Sequence, residues 1–225
     1  MLNVVKSPYR TAYENLAFEQ ELLRTGTPFL FTHRDAPCVS VGFNQDIEAE
    51  VDAALAKELG VDIVRRQSGG GAVYRDEGCV AFSMAVPRDF LPRAMEVPER
   101  ALMALGVPAV RNDRNDVYVA GRKVCGCAWQ DAGDLVVFHG SVLFDVDLDA
   151  MDRLLAPGKR KYCGTAMRSV FARVRNIKDL VPQMTADEFQ GALERALLAS
   201  VPSRFFRKNS RPPMLPPVRL HAGFG

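Results

Sequence analysis

Residues 65–74, with the sequence RRQSGGGAVY, constrain the fold of this chain more than any other segment. Three consecutive glycines without Cβ atoms allow positive φ angles and let a ligand approach the main chain closely. The N–H groups of such a loop form a concave anion-binding surface, and a neighbouring arginine can bind phosphate or carboxylate through two parallel hydrogen bonds. Many glycine runs are plain turns, but two arginines before this one and an aromatic residue after it favour an anion site.

The segments on either side of the glycine run indicate the type of loop. Residues 60–64 and 79–86 are short apolar runs of the kind that form strands. In a P-loop or a dinucleotide-binding fingerprint, by contrast, the glycines open a helix. The pattern therefore predicts a loop between two strands, which differs from both of those nucleotide motifs.

The composition is typical of a soluble globular protein. The 225 residues are 48% hydrophobic and 25% charged, which suits one large domain or one domain with an appendage. A formal net charge of +2 does not favour nucleic acid or a membrane surface as a partner. No apolar run approaches the roughly 18 to 20 residues of a membrane span, and residues 1–8 lack the apolar core of a signal peptide. We expect a cytoplasmic location.

The five cysteines predict neither a disulfide framework nor a zinc site. Their number is odd, and only Cys125 and Cys127 are close in sequence, with a single residue between them. Structural zinc usually requires paired ligands at wider spacing. With three histidines in the chain, a histidine-based metal site is not predicted either.

Hydrophobic periodicity predicts helices mixed with pairs of strands. Helical spacing predicts helices at residues 15–24, 48–59, 98–105, 149–155 and 185–200, the last with Thr185 as its N-cap. Apolar runs predict further strands at residues 28–33, 38–42, 116–119, 123–130 and 134–144. This mixture predicts an α+β (two-layer α/β) domain whose mixed, mostly antiparallel sheet is flanked by helices. We expect the domain over residues 1–200 and a basic, proline-rich tail over residues 201–225.

A second group of polar residues has two interpretations. Asn115 and Asp116 lie at the start of a predicted strand, and Lys123 follows the tight turn after it. A carboxamide and a carboxylate at that place can contact a ribose, a Mg²⁺ ion or an amine, but Asp116 can equally cap the turn while Lys123 is solvated. His139, in an otherwise apolar strand, is either a hydrogen-bonded core residue or a catalyst. The nucleophile motif Gly-x-Ser-x-Gly does not occur.

Seven segments, taken in order, resemble one known family. They are residues 13–19, 41–45, 65–74, 115–116, 121–128, 139–144, and 169–170 with 173–177. Together they are similar to the catalytic domain of lipoate–protein ligases, within the superfamily of biotin and lipoate ligases and octanoyl and lipoyl transferases. Each segment alone is weakly specific, so the resemblance rests on their order over most of residues 10–180.

The resemblance implies an acid–amino-acid ligase that uses ATP, Mg²⁺ and lipoate. Such an enzyme activates lipoate to lipoyl-AMP and then transfers the lipoyl group to a specific lysine of an acceptor protein. The acceptors that the resemblance implies are lipoyl domains of 2-oxoacid dehydrogenase E2 subunits or H proteins of the glycine cleavage type. It implies no nucleic acid and no membrane as a partner.

The resemblance also assigns roles to individual residues. Lys123 would be the catalytic cation beside the acyl carbonyl, where it stabilises the negative charge that develops during attack. Asp116 would bind Mg²⁺, while Val41, Gly42 and Phe82 would line an acyl pocket in which each buried CH₂ contributes about 0.8 kcal/mol. The residues that would bind the acyl-adenylate are Arg66, Ser68, Gly69, Gly70, Gly71, Val73, Tyr74, Asn115, Asp116, Gly126, Ala128 and His139.

The chain departs from the family pattern at several positions. Phe43 stands where the family usually has arginine, Arg75 where it has histidine, and Cys125 and Cys127 where it has two serines. The small C-terminal accessory domain of single-chain bacterial ligases is not recognised after residue 200. We therefore expect a separate small partner subunit, or transfer of a preactivated acyl group.

Two alternatives to an ATP-dependent ligase stay open. One is a lipoyl or octanoyl transferase that takes its acyl group from acyl-AMP or an acyl-carrier protein. Some transferases of the superfamily hold the acyl group on a cysteine, but residues 108–114, where that cysteine would lie, contain none. The other alternative is a non-catalytic binding module, against which the joint presence of Arg66, Asn115, Asp116 and Lys123 argues.

Overall fold

Ten strands and seven α-helices lie in residues 3–113, 116–155 and 174–201, the part of the chain that the computed structural model describes. The strands are β1 (Asn3–Lys6), β2 (Phe29–His33), β3 (Cys38–Val41), β4 (Asp62–Arg65), β5 (Val73–Arg75), β6 (Cys79–Pro87), β7 (Val110–Arg111), β8 (Val117–Val119), β9 (Arg122–Ala132) and β10 (Leu135–Leu143). The helices are α1 (Ala12–Arg24), α2 (Ile47–Glu50), α3 (Ala53–Leu59), α4 (Leu91–Ala94), α5 (Val97–Ala104), α6 (Leu148–Leu154) and α7 (Ala186–Ser200).

The strands form two sheets. The large sheet has the order β1-β2-β6-β10-β9-β8-β7, and all its neighbours are antiparallel except β1 and β2, which α1 connects in parallel. The small sheet has the order β4-β3-β5, with β4 parallel and β5 antiparallel to β3. The predicted α+β class, with a mostly antiparallel mixed sheet flanked by helices, is confirmed.

Alternation along the strands of the large sheet separates two hydrophobic cores. In β2, Leu30 belongs to the core that contains α5 and α7 residues, whereas Phe29 and Phe31 belong to a second core with α1. A third core lies between the small sheet, α3 and α6. Because side chains of a strand point alternately to opposite faces, one sheet supports a helical layer on one side and the small sheet with α1 on the other.

Local sequence signals explain where the helices begin. The side chains of Thr11 and Thr185 each accept a hydrogen bond from the main-chain N–H of the third helical residue, which is a glutamate in both helices. The glutamate side chain in turn accepts from the N–H of the threonine, so α1 and α7 both start with a capping box. The predicted N-cap at Thr185 is therefore confirmed. In the described ranges, no helix is both long and apolar enough to cross a membrane.

The prediction of one helix over residues 48–59 was wrong. The chain breaks into α2 and α3 because Val51 takes an extended conformation and is buried in the third core. The N–H of Asp52 then donates to Leu154 O (2.9 Å) rather than within a helix, while its side chain caps α3. Burial of an apolar side chain and a tertiary hydrogen bond have thus overridden helix propensity.

Other differences concern short or outlying elements. The strands β2 and β3, predicted on either side of a polar turn, belong to different sheets, so the chain crosses between sheets there. Periodicity missed β1, β5 and β7, which are two to four residues long. The predicted tail over residues 201–225 lies outside the described residues, apart from Val201, which is buried in the core with α7.

Gly140 offers a test of the packing within the large sheet. A Cβ atom there would lie 2.6 Å from the Phe82 ring, so we expect Gly140→Ala to lower the free energy of unfolding by about 1–3 kcal/mol. The matched control is Gly191→Ala within α7, where the new methyl meets only the tip of Arg195 and should stabilise the helix by roughly 0.5–1 kcal/mol. Urea denaturation measures both, and equal stability of the two variants would contradict this packing.

Candidate active site

The glycine loop between β4 and β5 is held from inside by one arginine. Arg66 is buried, and its guanidinium donates from Nε to Ser68 Oγ (3.1 Å), from Nη1 to Ser40 O (2.7 Å), and from Nη2 to Gly69 O and Gly71 O (2.8 Å each). Burial lowers the pKa of Arg66 to about 10, so the group keeps its charge at neutral pH. Charge-assisted bonds of this kind fix the loop conformation.

Arg65 has the corresponding role in the turn that follows β3. Its Nη1 donates to the carbonyl oxygens of Gly42 (2.9 Å), Phe43 (3.0 Å) and Gln45 (2.7 Å). Both arginines thus donate to the main chain, whereas the sequence predicted that they bind a ligand anion. The contact of Arg66 with a ligand stays a prediction. In the described part of the chain, the three glycine N–H groups of the loop have no acceptor.

Close packing of two main-chain segments explains two glycines of the motifs. Gly70 has a φ angle of 94°, which residues other than glycine rarely adopt. A Cβ atom on Gly42 would collide with Gly70 O, so the turn after β3 touches the loop directly. The motif that contains Gly42 therefore packs directly against the glycine loop.

A hydrogen bond joins the loop to the large sheet. Ser68 Oγ lies 2.7 Å from His139 Nε2 on β10. Burial lowers the pKa of His139 to about 4, with smaller contributions from nearby charges, so the ring is neutral at pH 7. Ser68 Oγ also accepts from Arg66 Nε. Arg66, Ser68 and His139 thus form one chain of hydrogen bonds.

Lys123 forms an ion pair beside this loop. Its Nζ lies 2.8 Å from Asp116 Oδ2, and Asp116 Oδ1 accepts from the N–H of Cys127 at 3.1 Å. The lysine main chain is held as well, since Lys123 O accepts from the N–H of Arg175 at 3.0 Å. A Cβ atom on Gly126 would lie 3.0 Å from Lys123 Cε, so the glycine at this position makes room for the lysine side chain.

Two adjoining cavities meet at Lys123. The first has a volume of about 210 Å³ and lies over the large sheet, between the glycine loop and α1. The second, of about 650 Å³, extends past Asp116 towards α6. The residues common to both are Gly71, Ala72, Val73, Lys123, Gly126 and Ser141. The lysine therefore stands where a ligand in one cavity can react with a ligand in the other.

The structure brings most of the predicted residues to these cavities. The predicted residues that line the first are Arg66, Gly70, Gly71, Val73, Phe82, Lys123, Gly126, Ala128 and His139, and those that line the second are Gly71, Val73, Tyr74, Asp116, Lys123 and Gly126. Ser68 and Gly69 line neither cavity, although Ser68 contacts His139, which lines the first. Asn115 lies outside the described residues.

Two residues predicted for the acyl pocket line neither cavity. Val41 is packed in the core between the small sheet and α3, and Gly42 contacts Gly70 O. Phe82 does line the first cavity, although its ring also packs near Phe138 in the core with α5 and α7. Strand alternation explains the position of Val41, because its neighbour Ser40 on β3 lines the first cavity and Val41 therefore points to the opposite face of the small sheet.

Sequence reasoning missed a group of five polar residues in the lining of the first cavity. Its members are Glu19, His33, Ser40, Arg75 and Ser83, and we call them the polar group. The signal that could have found them is polarity at buried positions, such as Ser83 within the apolar strand β6.

Hydrogen bonds and ion pairs organise the polar group. The Asp35 carboxylate lies 3.0 Å from Arg75 Nη2 and 2.9 Å from His33 Nδ1. The Ser83 hydroxyl donates a hydrogen bond to the Glu19 carboxylate. Burial would raise the pKa of the Asp35 carboxyl, but the charges of Arg75 and His33 more than offset it, so that pKa lies well below its usual range. The carboxylate of Asp35 is therefore ionised and balances Arg75.

The two neighbouring cysteines lie on β9 beside the cavity. Cys125 is buried, and its Sγ lies 3.6 Å from that of Cys127, which lines the first cavity. The hydrogen bond to Cys127 and burial both raise the pKa of Cys125, so this thiol is protonated at neutral pH. The prediction that these residues neighbour the pocket is consistent with this placement.

Asp116 is the residue that fits a magnesium ion. In the described ranges, no three His, Cys, Asp or Glu residues cluster as a metal site would require. Mg²⁺ at nucleotide sites, however, commonly takes one or two carboxylates and completes its coordination with phosphates and water. Asp116 lines the larger cavity, and each of its oxygens can accept a further contact, so the residue fits such a role, and its binding of Mg²⁺ stays a prediction.

The neutral state of His139 predicts a pH dependence of stability. Its pKa is lowered from about 6.5 in the unfolded chain to about 4, so the stability contribution is complete above pH 6.5 and is lost as the pH falls towards 4. We expect the loss to stay below about 3 kcal/mol, since the ring borders a cavity. Urea denaturation between pH 7.5 and 4.5 measures it. His139→Gln should flatten the dependence, and identical pH profiles would contradict a histidine that is neutral in the folded chain.

Comparison with known proteins identifies the family. A family model described as the lipoyl protein ligase A/B catalytic domain matches residues 11–198. The chain is 34% identical over 200 residues to a probable lipoate-protein ligase A of Mycoplasma genitalium, and 32% identical over 197 residues to that of Mycoplasma pneumoniae. Each alignment covers 83% of this chain but only 59% and 58% of those proteins, so the chain spans less than two thirds of their length.

Solved structures agree with this assignment. Plasmodium falciparum LipL1 in complex with lipoate superposes with a TM-score of 0.77 at 26% identity, covering 91% of this chain and 62% of that one. A lipoate-protein ligase A bound with ATP gives 0.75 at 26% identity, covering 88% and 84%. A bi-partite lipoate protein ligase studied with its E2 lipoyl domain, from Thermoplasma acidophilum, gives 0.75 at 26% identity, covering 88% and 82%. With the matching family model, these similarities establish that the chain belongs to the lipoyl protein ligase A/B catalytic domain family.

Proposed function

We propose that this chain activates lipoate with ATP to lipoyl-AMP and transfers the lipoyl group to a lysine of a lipoyl-carrier domain. The observation that carries the proposal is the position of Lys123 at the junction of the two cavities. One cavity suits an acyl chain and the other is large enough for a nucleotide. Family membership supports the same reaction.

The first cavity is the proposed acyl site. Its part nearest Lys123 is lined by small or apolar residues such as Ala72, Val73 and Ala128, which can pack against methylene groups. Each CH₂ that leaves water contributes about 0.8 kcal/mol. The lipoate complex of the P. falciparum relative supports lipoate as the acid.

The glycine loop and Asp116 are the proposed nucleotide contacts. The loop N–H groups have no acceptor in the described part of the chain, so they are free to bind a phosphate of the adenylate. Asp116 would hold Mg²⁺, which would neutralise phosphate charge when bound. The ATP complex of the related ligase supports ATP as the second substrate.

The proposed reaction has two steps, and Lys123 acts in the second. In the first, a lipoate oxygen attacks the α-phosphorus of ATP, the acyl-phosphate bond forms and pyrophosphate leaves. In the second, the acceptor lysine amine attacks the acyl carbonyl, an amide forms, AMP leaves with the bonding electrons, and the proton that the amine loses passes to solvent. The lysine cation stabilises the negative charge on the carbonyl oxygen, and the Asp116 pair keeps its ammonium group at the junction.

The proposed acceptor is a lipoyl domain of an E2 subunit or a protein of the H type. Study of the T. acidophilum ligase with its E2 lipoyl domain supports the first. That ligase is bi-partite, which supports a second polypeptide that assists activation by this chain. We further propose that the protein is located in the cytoplasm.

A reconstituted assay tests the proposal. The purified chain is incubated with lipoate, Mg-ATP and an apo lipoyl domain, with and without a candidate small subunit, and the acceptor is weighed by mass spectrometry. We expect a lipoyl adduct that requires ATP and is lost with EDTA. If the acceptor gains no lipoyl group under any of these conditions but accepts one from preformed lipoyl-AMP, the chain is a transferase.

Replacement of the junction lysine tests the mechanism. Lys123→Ala should lower the transfer rate by about 10²–10³-fold, because the carbonyl loses its stabilising charge. Lys57→Ala, an exposed position on α3, is the matched control and should retain full activity. A fully active Lys123→Ala protein would remove Lys123 from the mechanism.

The placement of Cys127 favours a second candidate function, an acyl transferase with a thioester intermediate. Cys127 lines the first cavity close to Gly126 and Lys123, where an acyl carbonyl would lie. In that reaction the sulfur of Cys127 displaces the donor group, and the acceptor amine then displaces the thiolate. The raised pKa of Cys125 makes that residue unsuited as the nucleophile.

Cysteine substitution separates the two functions. If the ligase mechanism holds, Cys127→Ser and the double variant Cys125→Ser with Cys127→Ser should each keep most of the activity, since neither thiol reacts. Mass spectrometry of the chain itself should show no acyl adduct. Loss of turnover together with loss of a cysteine-bound acyl group would establish the transferase.

A further inference from the structure

Two thiols of strand β9 lie side by side next to the proposed reaction centre. Cys125 Sγ and Cys127 Sγ are 3.6 Å apart. Because the residues are two positions apart in a strand, their side chains are on the same face of the large sheet. Cys125 is buried in the core with α5 and α7, whereas Cys127 is partly exposed and lines the first cavity. A small reagent in the cavity therefore reaches one thiol, and the second thiol lies in contact with the first.

The main chain beside this pair is irregular. Val117 on β8 pairs with Cys125, but Tyr118 pairs with Lys123, so the register shifts between the two pairs. Val124 is the extra residue of this β-bulge. A bulge disrupts the ladder of hydrogen bonds and bends its strand. The segment that carries Lys123 and the two cysteines therefore deforms at a lower cost than a regular strand.

The spacing of the two cysteines suits a disulfide that forms and breaks readily. Two residues along an antiparallel strand span about 6.8 Å, which is near the upper limit of the Cα separations that disulfides usually have. Bond formation therefore requires this part of β9 to shorten, and strained disulfides are more easily reduced than structural ones. In reducing compartments, disulfides of this kind are usually transient or redox-sensing.

A bond between the two sulfurs would displace Lys123. Gly126 lies between the cysteines and faces the other side of the sheet, where a Cβ atom would be 3.0 Å from Lys123 Cε and 3.1 Å from its Nζ. Joining two side chains on one face bends the strand towards that face, so Gly126 moves towards the lysine. The N–H of Cys127 moves as well, although it donates to Asp116 Oδ1 at 3.1 Å, and Asp116 is the ion-pair partner of Lys123.

We propose that Cys125 and Cys127 are a site of reversible oxidation, at which a peroxide converts the two thiols to a disulfide within β9 and so switches off the reaction at Lys123. The Cys127 sulfur attacks a peroxide oxygen, the O–O bond breaks, and a sulfenic acid and one water form. The Cys125 sulfur then attacks the Cys127 sulfur, the S–S bond forms, and a second water leaves with the thiol proton. The thiols lose two electrons and the peroxide gains them. A small dithiol reverses the change by exchange.

Peptide mapping tests the modification. The purified chain is treated with hydrogen peroxide, alkylated and digested with trypsin, which releases a peptide of residues 124–153 that contains these two cysteines and no other. We expect this peptide to escape alkylation and to be lighter than the reduced peptide by two hydrogen atoms, and dithiothreitol should restore both alkylation sites. A peptide that is still alkylated at both cysteines, or that is oxidised at one cysteine without an S–S bond, would overturn the proposal.

Lipoyl transfer tests the switch, and this part of the inference rests on the proposed function. Peroxide should lower the transfer rate about 10²-fold, since a displacement of about 1 Å at a reacting group has such an effect, and dithiothreitol should restore it. Cys125→Ala cannot form the bond and should keep its activity in peroxide. Cys79→Ala, which removes a buried thiol from the third core, is the matched control and should stay sensitive. Equal sensitivity of Cys125→Ala and the wild-type chain would overturn the switch.

Amide hydrogen exchange separates a failure of this inference from a failure of the proposed function. Labelling with ¹⁵N-cysteine gives one amide signal for each of the five cysteines. In the oxidised chain the Cys127 amide should exchange about tenfold faster, because its hydrogen bond to Asp116 is lost. Unchanged exchange in the disulfide form would overturn the coupling to Lys123, whatever the transfer activity. The disulfide and faster exchange in a chain without lipoyl transfer would support the oxidation site and refute the ligase.

Discussion

Hydrogen bonds from the Arg66 guanidinium to the glycine loop are the contacts on which the rest of the site depends. A buried cation is costly unless its donors are satisfied, and three carbonyl oxygens together with Ser68 satisfy this one. Because Ser68 also bonds His139, the same arginine links the small sheet to the large one. The carbonyl groups of Gly69 and Gly71 are used internally, and the loop N–H groups are available to a ligand.

Missing side chains matter as much as the charged ones. At Gly42 the absence of Cβ allows the turn after β3 to touch Gly70 O, and at Gly126 it makes room for Lys123. At Gly140 it admits the Phe82 ring. Each of these glycines lets two segments of the chain pack closely together.

The sequence predicted the local parts of this site and the fold class. The glycine loop, the cap at Thr185 and the hairpin that presents Lys123 follow from patterns within about ten residues. It did not predict that the arginines of the loop donate inward, since their partners Ser40 and Gly42 come from another strand and turn. The break between α2 and α3 was missed because the burial of Val51 depends on distant parts of the chain.

By itself, the sequence determined which residues have unusual backbone freedom, charge or periodicity, and the order of motifs that indicates the family. Only the tertiary structure decided which of these residues meet. The polar group draws one residue each from α1, β2, β3, β5 and β6, and its members are up to 64 positions apart in the chain, as in the Glu19–Ser83 pair. The physical reason is that propensity and capping act over a few residues, whereas cavity lining depends on sheet register and on burial between elements that no local pattern specifies.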